Sequence, residues 1–401
     1  MKAWPGVNFL LGEAAVTDRD LTVGVFGSSL KENELRLPIH PDHLNKIDPA
    51  LRARMYLETG YGQREGVFAD SPEGFAGFLD REALFAKCDI LLLPKPCEGD
   101  FPFFREGQIL WGWPHCVQGE AITQVGIDRK MTFIAWEEMH QWRETARGPR
   151  WVVHTFHKNN ELAGYCSVLH ALQLRGFSGH YGEPKKAAVL SFGSTAQGAC
   201  YALGAMGIQQ ITVFKQRRAA DLAYQIPTLQ YSQYKPLEEG SRKVIAEDAN
   251  GDGVPAIEVL KEFDIIVNCI LQDTDAPLDF IAGDKEIAQL KRGTLIVDVS
   301  CDEGMGFSFA KPTTFEDPVF TVNDRLTCYA VDHSPSYLWD SASFEISTAL
   351  LPYLPDVMAG PQAWAENLTL AKAIEIQDGE IKNPKISSFQ NRKTAYPHEK
   401  I

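Results

Sequence analysis

Short, continuous apolar runs separated by amphipathic stretches and turn residues set the plan of this chain. LTVGVFGSSL (21–30) is an apolar strand that ends at Gly27 and two serines, and Pro41 with Asp42 then starts a helix. LRARMYLETG (51–60) reads as a helix end and a strand. FLDREALFAKCDILLLPKP (78–96) reads as a helix followed by a strand over 89–93, stopped by prolines. GQILWGWPH (107–115) and KMTFIAWEEM (130–139) predict two more strands.

A second region with the same rhythm opens at NNELAGYCSVLHALQLRGF (159–177), a long helix. KKAAVLSFG (185–193) is a strand, STAQGACYALGAMG (194–207) a helix of small residues, and QQITVF (209–214) the next strand. EFDIIVNCIL (262–271) and GTLIVDVS (293–300) are apolar without alternation, as expected of strands covered on both faces. CYAVDH (328–333) is a last strand. SASFEISTALLPYLPDVM (341–358) reads as a helix that returns to the first region, and the polar tail from 378 onward as a surface segment.

Strands alternating with helices imply parallel sheets. The expected fold is α/β, with two Rossmann-like domains and an active-site cleft between them, where ligands of such sheets gather. The expected division is a discontinuous substrate domain over 1–158 plus about 340–401, and a dinucleotide domain over 159–339.

Composition adds exclusions. The chain has 401 residues, 44% hydrophobic, enough for more than one core. A formal net charge of −14 argues against general nucleic-acid binding, which needs clustered cations. No apolar run is long enough for a membrane span, and the opening 20 residues read as a short extension rather than a signal peptide. Eight scattered cysteines without a C-x-x-C pair fit reduced thiols of a cytoplasmic protein and no zinc site. DANGDG (248–253) copies half a calcium loop, but Val259 stands where the bidentate glutamate belongs, so no metal is expected.

The stretch VLSFGSTAQGA (189–199) carries the first chemistry. Its spacing fits the dinucleotide fingerprint G-x-G-x-x-G, with Thr195 in place of the middle glycine. Gly193 takes the turn, Ser194 and Thr195 offer hydroxyls and helix N-terminal amides to a pyrophosphate, and Gly198 is expected to let the helix approach the sheet. The next strand ends in VFKQRR. Lys215, Arg217 and Arg218 stand where an NAD site places an acid, which favours NADP(H) over NAD(H). Cys269 and Leu271, ending the following strand, are further cofactor-contact candidates.

In the first region four polar groups follow strands: Arg36, Lys95, His115 and Glu137. Singly each has a blander explanation, as a surface ion pair, a solvated lysine, a hydrogen-bonded histidine or a helix cap. Together, at successive strand ends opposite a dinucleotide domain, they make a substrate constellation.

On GSSLKENELRLPIHPDHL, DILLLPKP, SFGSTAQGA and DVSCDEGMG the chain resembles the alanine dehydrogenase and transhydrogenase superfamily, in its N5-(carboxyethyl)ornithine synthase branch. WPHC and VDHSPSYLWDSASFEISTALLPYL are also similar to lysine-forming saccharopine dehydrogenase. The resemblance implies reductive amination of a 2-keto acid by NAD(P)H. It implies that Arg36 binds the keto-acid carboxylate, that Lys95 contacts the same acid or relays protons, and that His115 is the general acid/base. Glu137 would sit near the amine, with Glu138 as a neighbour competing for that role, Asp302 by the nicotinamide, and Asp332 near the substrate.

The expected reaction is condensation of a small keto acid, pyruvate foremost, with the amine of an amino acid such as ornithine or lysine. A simple amino-acid dehydrogenase and a non-catalytic NADP-binding subunit are the alternatives. Partners would be small molecules, with a homodimer or higher homo-oligomer in keeping with such folds. Trp111, Trp113, Trp136, Trp142 and Trp151 fall in the stretch that should wall the substrate site; core packing is their commoner role, and any that face the cleft would favour a bulkier or more cationic amine.

Overall fold

The computed structural model describes residues 21–63, 73–218 and 225–401. The opening extension, 1–20, lies outside the described residues.

The first sheet has eight strands. In spatial order they are Glu380–Ile381, Ile374–Gln377, Thr132–Ala135, Ile109–Gly112, Ile90–Leu92, Val23–Val25, Met55–Glu58 and Gly77–Leu79. The six from the N-terminal region run parallel in the order 3-2-1-4-5-6. The second sheet has nine strands, and its six parallel members repeat that order: Gln230–Pro236, Gln210–Lys215, Lys186–Leu190, Ile265–Asn268, Leu295–Asp298 and Leu326–Tyr329. Both are doubly wound Rossmann-like sheets. Each has its switch point beside its first strand, where parallel connections leave for opposite sides and a crevice opens.

The apolar runs fill the sheet centres: Val23–Val25, Ile90–Leu92, Ile265–Asn268 and Leu295–Asp298 are buried along their whole length. Two strand pairs escape the alternation pattern because they are antiparallel additions at edges. One is Val244–Glu247 with Gly253–Pro255, whose turn is the DANGDG loop; Asp248 accepts there from the Asn250 and Asp252 amides. The other is Ile374–Gln377 with Glu380–Ile381.

The 341–358 helix is in fact two. Trp339–Leu350 ends in a 3₁₀ turn, Leu351–Tyr353, because the proline at 352 supplies no amide to continue the ladder, and Leu354–Ala359 follows. Ile346, Leu350, Leu354, Val357 and Met358 join Val23, Val25, Ile90 and Trp111 in one core, so the chain does return to the first sheet.

The tail is not a loose surface segment. It adds the edge strand Glu380–Ile381 and the helix Pro384–Phe389, and buries Ile386, Gln390, Arg392 and His398. Gln390 Nε2 donates to the Cys116 carbonyl at 2.6 Å and Arg392 to Gln124 at 2.7 Å. Its polar side chains mislead because they satisfy one another and backbone groups indoors.

Gly198 also differs from expectation. A Cβ there would lie 1.8 Å from the Glu161 carbonyl oxygen, and one on Gly164 would lie 1.8 Å from that of Thr195. Gly198 therefore serves close contact of the helix Ser194–Ala205 with the long helix His157–Arg175, while Ala196, Ala199 and Ala202 pack in the core with the sheet.

Candidate active site between the two sheets

Parallel strands end on a common edge, so the residues following them collect there. Lys95 follows Ile90–Leu92, His115 follows Ile109–Gly112 and Glu137 follows Thr132–Ala135, three adjacent strands. A Cβ on Gly112 would stand 2.0 Å from the Leu93 carbonyl oxygen. Glycine thus lets two strand ends converge, and the Trp113 amide bonds the Pro94 carbonyl at 2.9 Å. The result is a contact of 2.8 Å between Lys95 Nζ and His115 Nε2.

An ammonium has no lone pair, so Nε2 accepts and the imidazole is neutral, with its proton on Nδ1. Burial, and then the Lys95 charge, push the His115 pKa well below its ordinary value, against the pull of Asp332. Burial likewise lowers that of Lys95. Yet 49% of the His115 side chain remains exposed. The ring is thus open to approach while protein groups stand close around it.

Arg36 reaches the same place from the loop after the first strand. Its guanidinium is already engaged, with Nε 2.8 Å from Glu34, a second bond from NH2 to the same carboxylate, and NH1 3.2 Å from Asn159. It lies 5.1 Å from the Trp113 ring centroid. Burial raises the Glu34 pKa, but the Arg36 charge outweighs it and leaves it lowered. Three of five guanidinium N–H donors are committed, and two remain for a ligand.

The second sheet sends Asp332 to meet this group. Asp332 pairs with Lys31 at 2.5 Å and with His333 at 2.7 Å, and His333 Nε2 contacts the Glu32 carbonyl at 2.6 Å. Burial works against the charged carboxylate, but His333, Lys95 and Lys31 hold Asp332 far below the carboxylate range. These contacts, with Leu35 N to Ser336 Oγ at 2.7 Å, pin the Arg36 loop to the second sheet. Asp302 stands further out. Burial raises its pKa to about 6, and it shares the surroundings of the Cys301 thiol with Asp298, Asp332 and Lys95.

Glu137 is placed behind the histidine. Its Oε1 accepts from the His115 amide at 2.6 Å and lies 3.8 Å from Nδ1. His115 has a φ of +51°, a left-handed conformation uncommon outside glycine, and this carboxylate steadies it. Trp111 and Trp136 are fully buried and pack edge to face, so only Trp113, beside Arg36, borders the site from that part of the cluster; Trp151 is largely exposed on the His140–Arg143/Arg150–His154 hairpin.

Two glycine turns could hold a phosphate, and their environments separate them. At the first, the Glu58 carboxylate accepts from the Gly27 and Ser28 amides at 2.7 and 2.8 Å, which fills the donors with a negative charge. At the second, Gly193 caps the helix Ser194–Ala205 with no side-chain acceptor, is exposed, and has open space where a Cβ would point. Uncapped amides at a helix N-terminus fit an anion. The fingerprint turn at 193–198 is therefore suited to a dinucleotide and the one at 27–28 is not.

Around it, Leu271 is 95% exposed while Cys269 is buried. Lys215 is buried and donates to the Arg217 carbonyl, 5.9 Å from the Tyr231 ring, so it braces the loop from inside. Arg217 and Arg218 are exposed. Sequence reasoning missed Lys31, Glu34 and Asn159, the partners that decide how much of Arg36 and Asp332 is free. For Glu34 the signal was an acid two residues before the arginine.

Residues 215–384 match the family model "Alanine dehydrogenase/PNT, C-terminal domain". Over 329 residues the chain is 26% identical to N(5)-(carboxyethyl)ornithine synthase of Clostridium botulinum, covering 79% of this chain and 89% of that protein. The chain is thus similar to the alanine dehydrogenase and transhydrogenase superfamily of oxidoreductases, and residues 215–384 match its C-terminal domain. Superfamily members similar over still more of its length include alanine dehydrogenase of Mycobacterium tuberculosis, 23% identical over 377 residues, or 89% of this chain and 94% of that one. Among solved structures, an L-alanine dehydrogenase superposes with a TM-score of 0.68 at 17% identity, over 92% of this chain and 99% of the other. A transhydrogenase from Sinorhizobium meliloti gives 0.63 at 16% identity, over 90% and 99%. These two superfamily structures share the fold. Among the described residues no helix is long and apolar enough to cross a membrane, and no group of three or more His, Cys, Asp or Glu side chains is arranged for a metal ion.

Proposed function

We propose that this oxidoreductase condenses a 2-keto acid, pyruvate foremost, with the amine of an amino acid such as ornithine or lysine and reduces the imine with NADPH. The product would be an N-(carboxyalkyl)amino acid. The reading takes residues 159–339 as the cofactor lobe, and 1–158 with 340–401 as the substrate lobe. One observation carries it: a lysine–imidazole pair open to approach, with an arginine beside it and an uncapped glycine turn on the opposing sheet.

Lys95 has only the imidazole for a partner among the described residues, so its ammonium, with the two spare N–H groups of Arg36, takes the keto-acid carboxylate. The incoming amine must be neutral to attack. With Lys95 turned to the carboxylate, His115 takes that proton on the freed Nε2 and returns it to the departing hydroxyl of the carbinolamine, which leaves as water. Asp332 and Asp302 supply negative charge on the side of the amino-acid substrate, and Trp113 gives it an aromatic wall. Nicotinamide, when bound, supplies the hydride; the chain orients it and keeps water from the imine.

The test is NADPH oxidation with pyruvate plus a panel of amino acids, with the product identified by mass. Turnover with ornithine or lysine, yielding a secondary amine, is expected. Turnover with pyruvate and ammonia alone would move the reading to a simple amino-acid dehydrogenase. Tight NADPH binding with no turnover for any pair would make the chain a binding subunit.

NADP preference rests on Arg217, the exposed cation nearest the end of the second fingerprint strand. Arg217→Ser should weaken NADPH by about 10–100-fold, the worth of a charged hydrogen bond, and leave NADH unchanged. Fluorescence titration with both nucleotides checks it, and equal losses would remove the preference.

A further inference from the structure

The end of the second sheet away from the fingerprint turn holds a feature that the reaction described above does not use. Gly193 follows a strand of that sheet, whereas Arg292 and Gly293 precede the parallel strand Leu295–Asp298 and Arg325 precedes Leu326–Tyr329. The two places are thus separated by the length of a strand, about 13 Å for four residues. A cavity of about 380 Å³ opens there, and Arg175, Arg292 and Arg325 line it.

Arginines at a surface ordinarily pair with acids, and this chain has 53 Asp and Glu against 39 Lys and Arg. None of these three forms an ion pair with a described residue, and Asp324, which also lines the cavity, pairs with none of them. Backbone oxygens hold two of them instead. Arg175 NH2 donates to the Gly293 carbonyl at 3.3 Å, and Arg325 NH1 to that of Leu290 at 2.9 Å. Arg175 also lies 5.0 Å from the Phe177 ring centroid. It is not needed to cap its helix, His157–Arg175, because the Gly176 and Phe177 amides already take the Gln173 and Leu172 carbonyls at 3.1 and 2.9 Å.

Gly293 has a φ of +86°, and a Cβ there would stand 3.0 Å from Arg175 NH2, so glycine both makes the turn and admits the guanidinium. The Gly293 amide donates to the Arg325 carbonyl at 2.7 Å, which ties the two turns together. Arg292 is exposed and has no hydrogen-bond or ion-pair partner among the described residues. Thr321 and Thr327, paired across adjacent strands, add two hydroxyls to the lining. Arg175 Nε is buried with no hydrogen-bond partner, an unsatisfied donor on a side chain that borders the cavity.

We propose that this cavity is a second ligand site, which binds the phosphate group of a small molecule. Guanidinium forks match the edges of a tetrahedral oxyanion, and hydroxyls complete its shell. Three cations gathered without an acid repel one another until an anion joins them. The cavity volume falls in the range of small-molecule sites, so an organic remainder fits beside the phosphate.

Calorimetric titration at constant ionic strength tests the site, with inorganic phosphate and glycerol phosphate as probes and chloride as the control. Saturable binding of a phosphate probe is expected, and none of chloride; the tighter probe tells a free phosphate ligand from a phosphomonoester. Arg292→Gln removes a side chain without partners, so the melting temperature should hold while phosphate affinity falls by about 10-fold or more, the worth of a hydrogen bond between charged groups. Arg292→Gln combined with Arg325→Gln should abolish binding. Phosphate caught instead at the open turn 193–198 would be displaced by NADPH and would ignore both substitutions. No saturable binding, binding lost to NADPH, or full affinity in Arg292→Gln overturns the proposal. So does a change of oligomer mass with phosphate affinity kept, which would make the arginines a contact between copies. No amino or keto acid enters the titrations, so an error in the proposed reaction leaves their outcome intact.

Discussion

Replacing His115 with alanine should lower turnover by about 10²–10⁴-fold, the usual worth of a general acid/base, with NADPH affinity retained. The imidazole is the neutral base of the Lys95 pair, held by a 2.8 Å contact, and no other described side chain stands in that contact. Its backbone is left-handed, which alanine tolerates poorly. His115→Asn is therefore the companion variant, because asparagine accepts that conformation while carrying no titratable nitrogen. Both variants should bind NADPH like the parent protein in fluorescence titration and fail together in steady-state turnover. Near-normal turnover in either would remove His115 from proton transfer.

The second large effect is one of packing. Gly198→Ala should destabilise the protein, because the new methyl group would begin 1.8 Å from the Glu161 carbonyl oxygen. A backbone carbonyl in mid-helix cannot swing aside as a side-chain tip would, so the helices His157–Arg175 and Ser194–Ala205 must separate. Overpacking of this kind costs about 1–3 kcal/mol or more, a fall in Tm of roughly 2–4 °C per kcal/mol for a domain of this size. The second helix opens at the phosphate turn, so NADPH affinity should fall as well. Gly193→Ala is the control: its Cβ points into open space, and its melting temperature should be little changed. Equal melting temperatures for the two variants would mean that the glycine at 198 is not needed for the helix contact.

Most of the fold was legible along the chain because buried parallel strands write themselves as unbroken apolar runs. The runs ending near Val25, Leu93, Leu190, Asn268 and Asp298 need no partner to be read. The antiparallel strands Val244–Glu247 and Ile374–Gln377, second from the rim of their sheets, were missed for the complementary reason. Their alternation is short and diluted by polar residues, and what makes them strands is the neighbour they pair with. The tail shows the same: Gln390 and Arg392 look like surface until the groups that satisfy them are placed beside them.

Within the site, the sequence by itself determined which chemistry-bearing residues follow which strands, and parallel strands guarantee that such residues share an edge. That is a local matter of pattern and turn residues. Tertiary structure alone decided the electrostatic balance. Glu34 claims part of Arg36, Lys31 claims Asp332, and Glu58 fills one glycine turn while the other stays open. Charge and hydrogen-bond partners act through space over a few ångströms, and distance along the chain carries no information about which of them will meet.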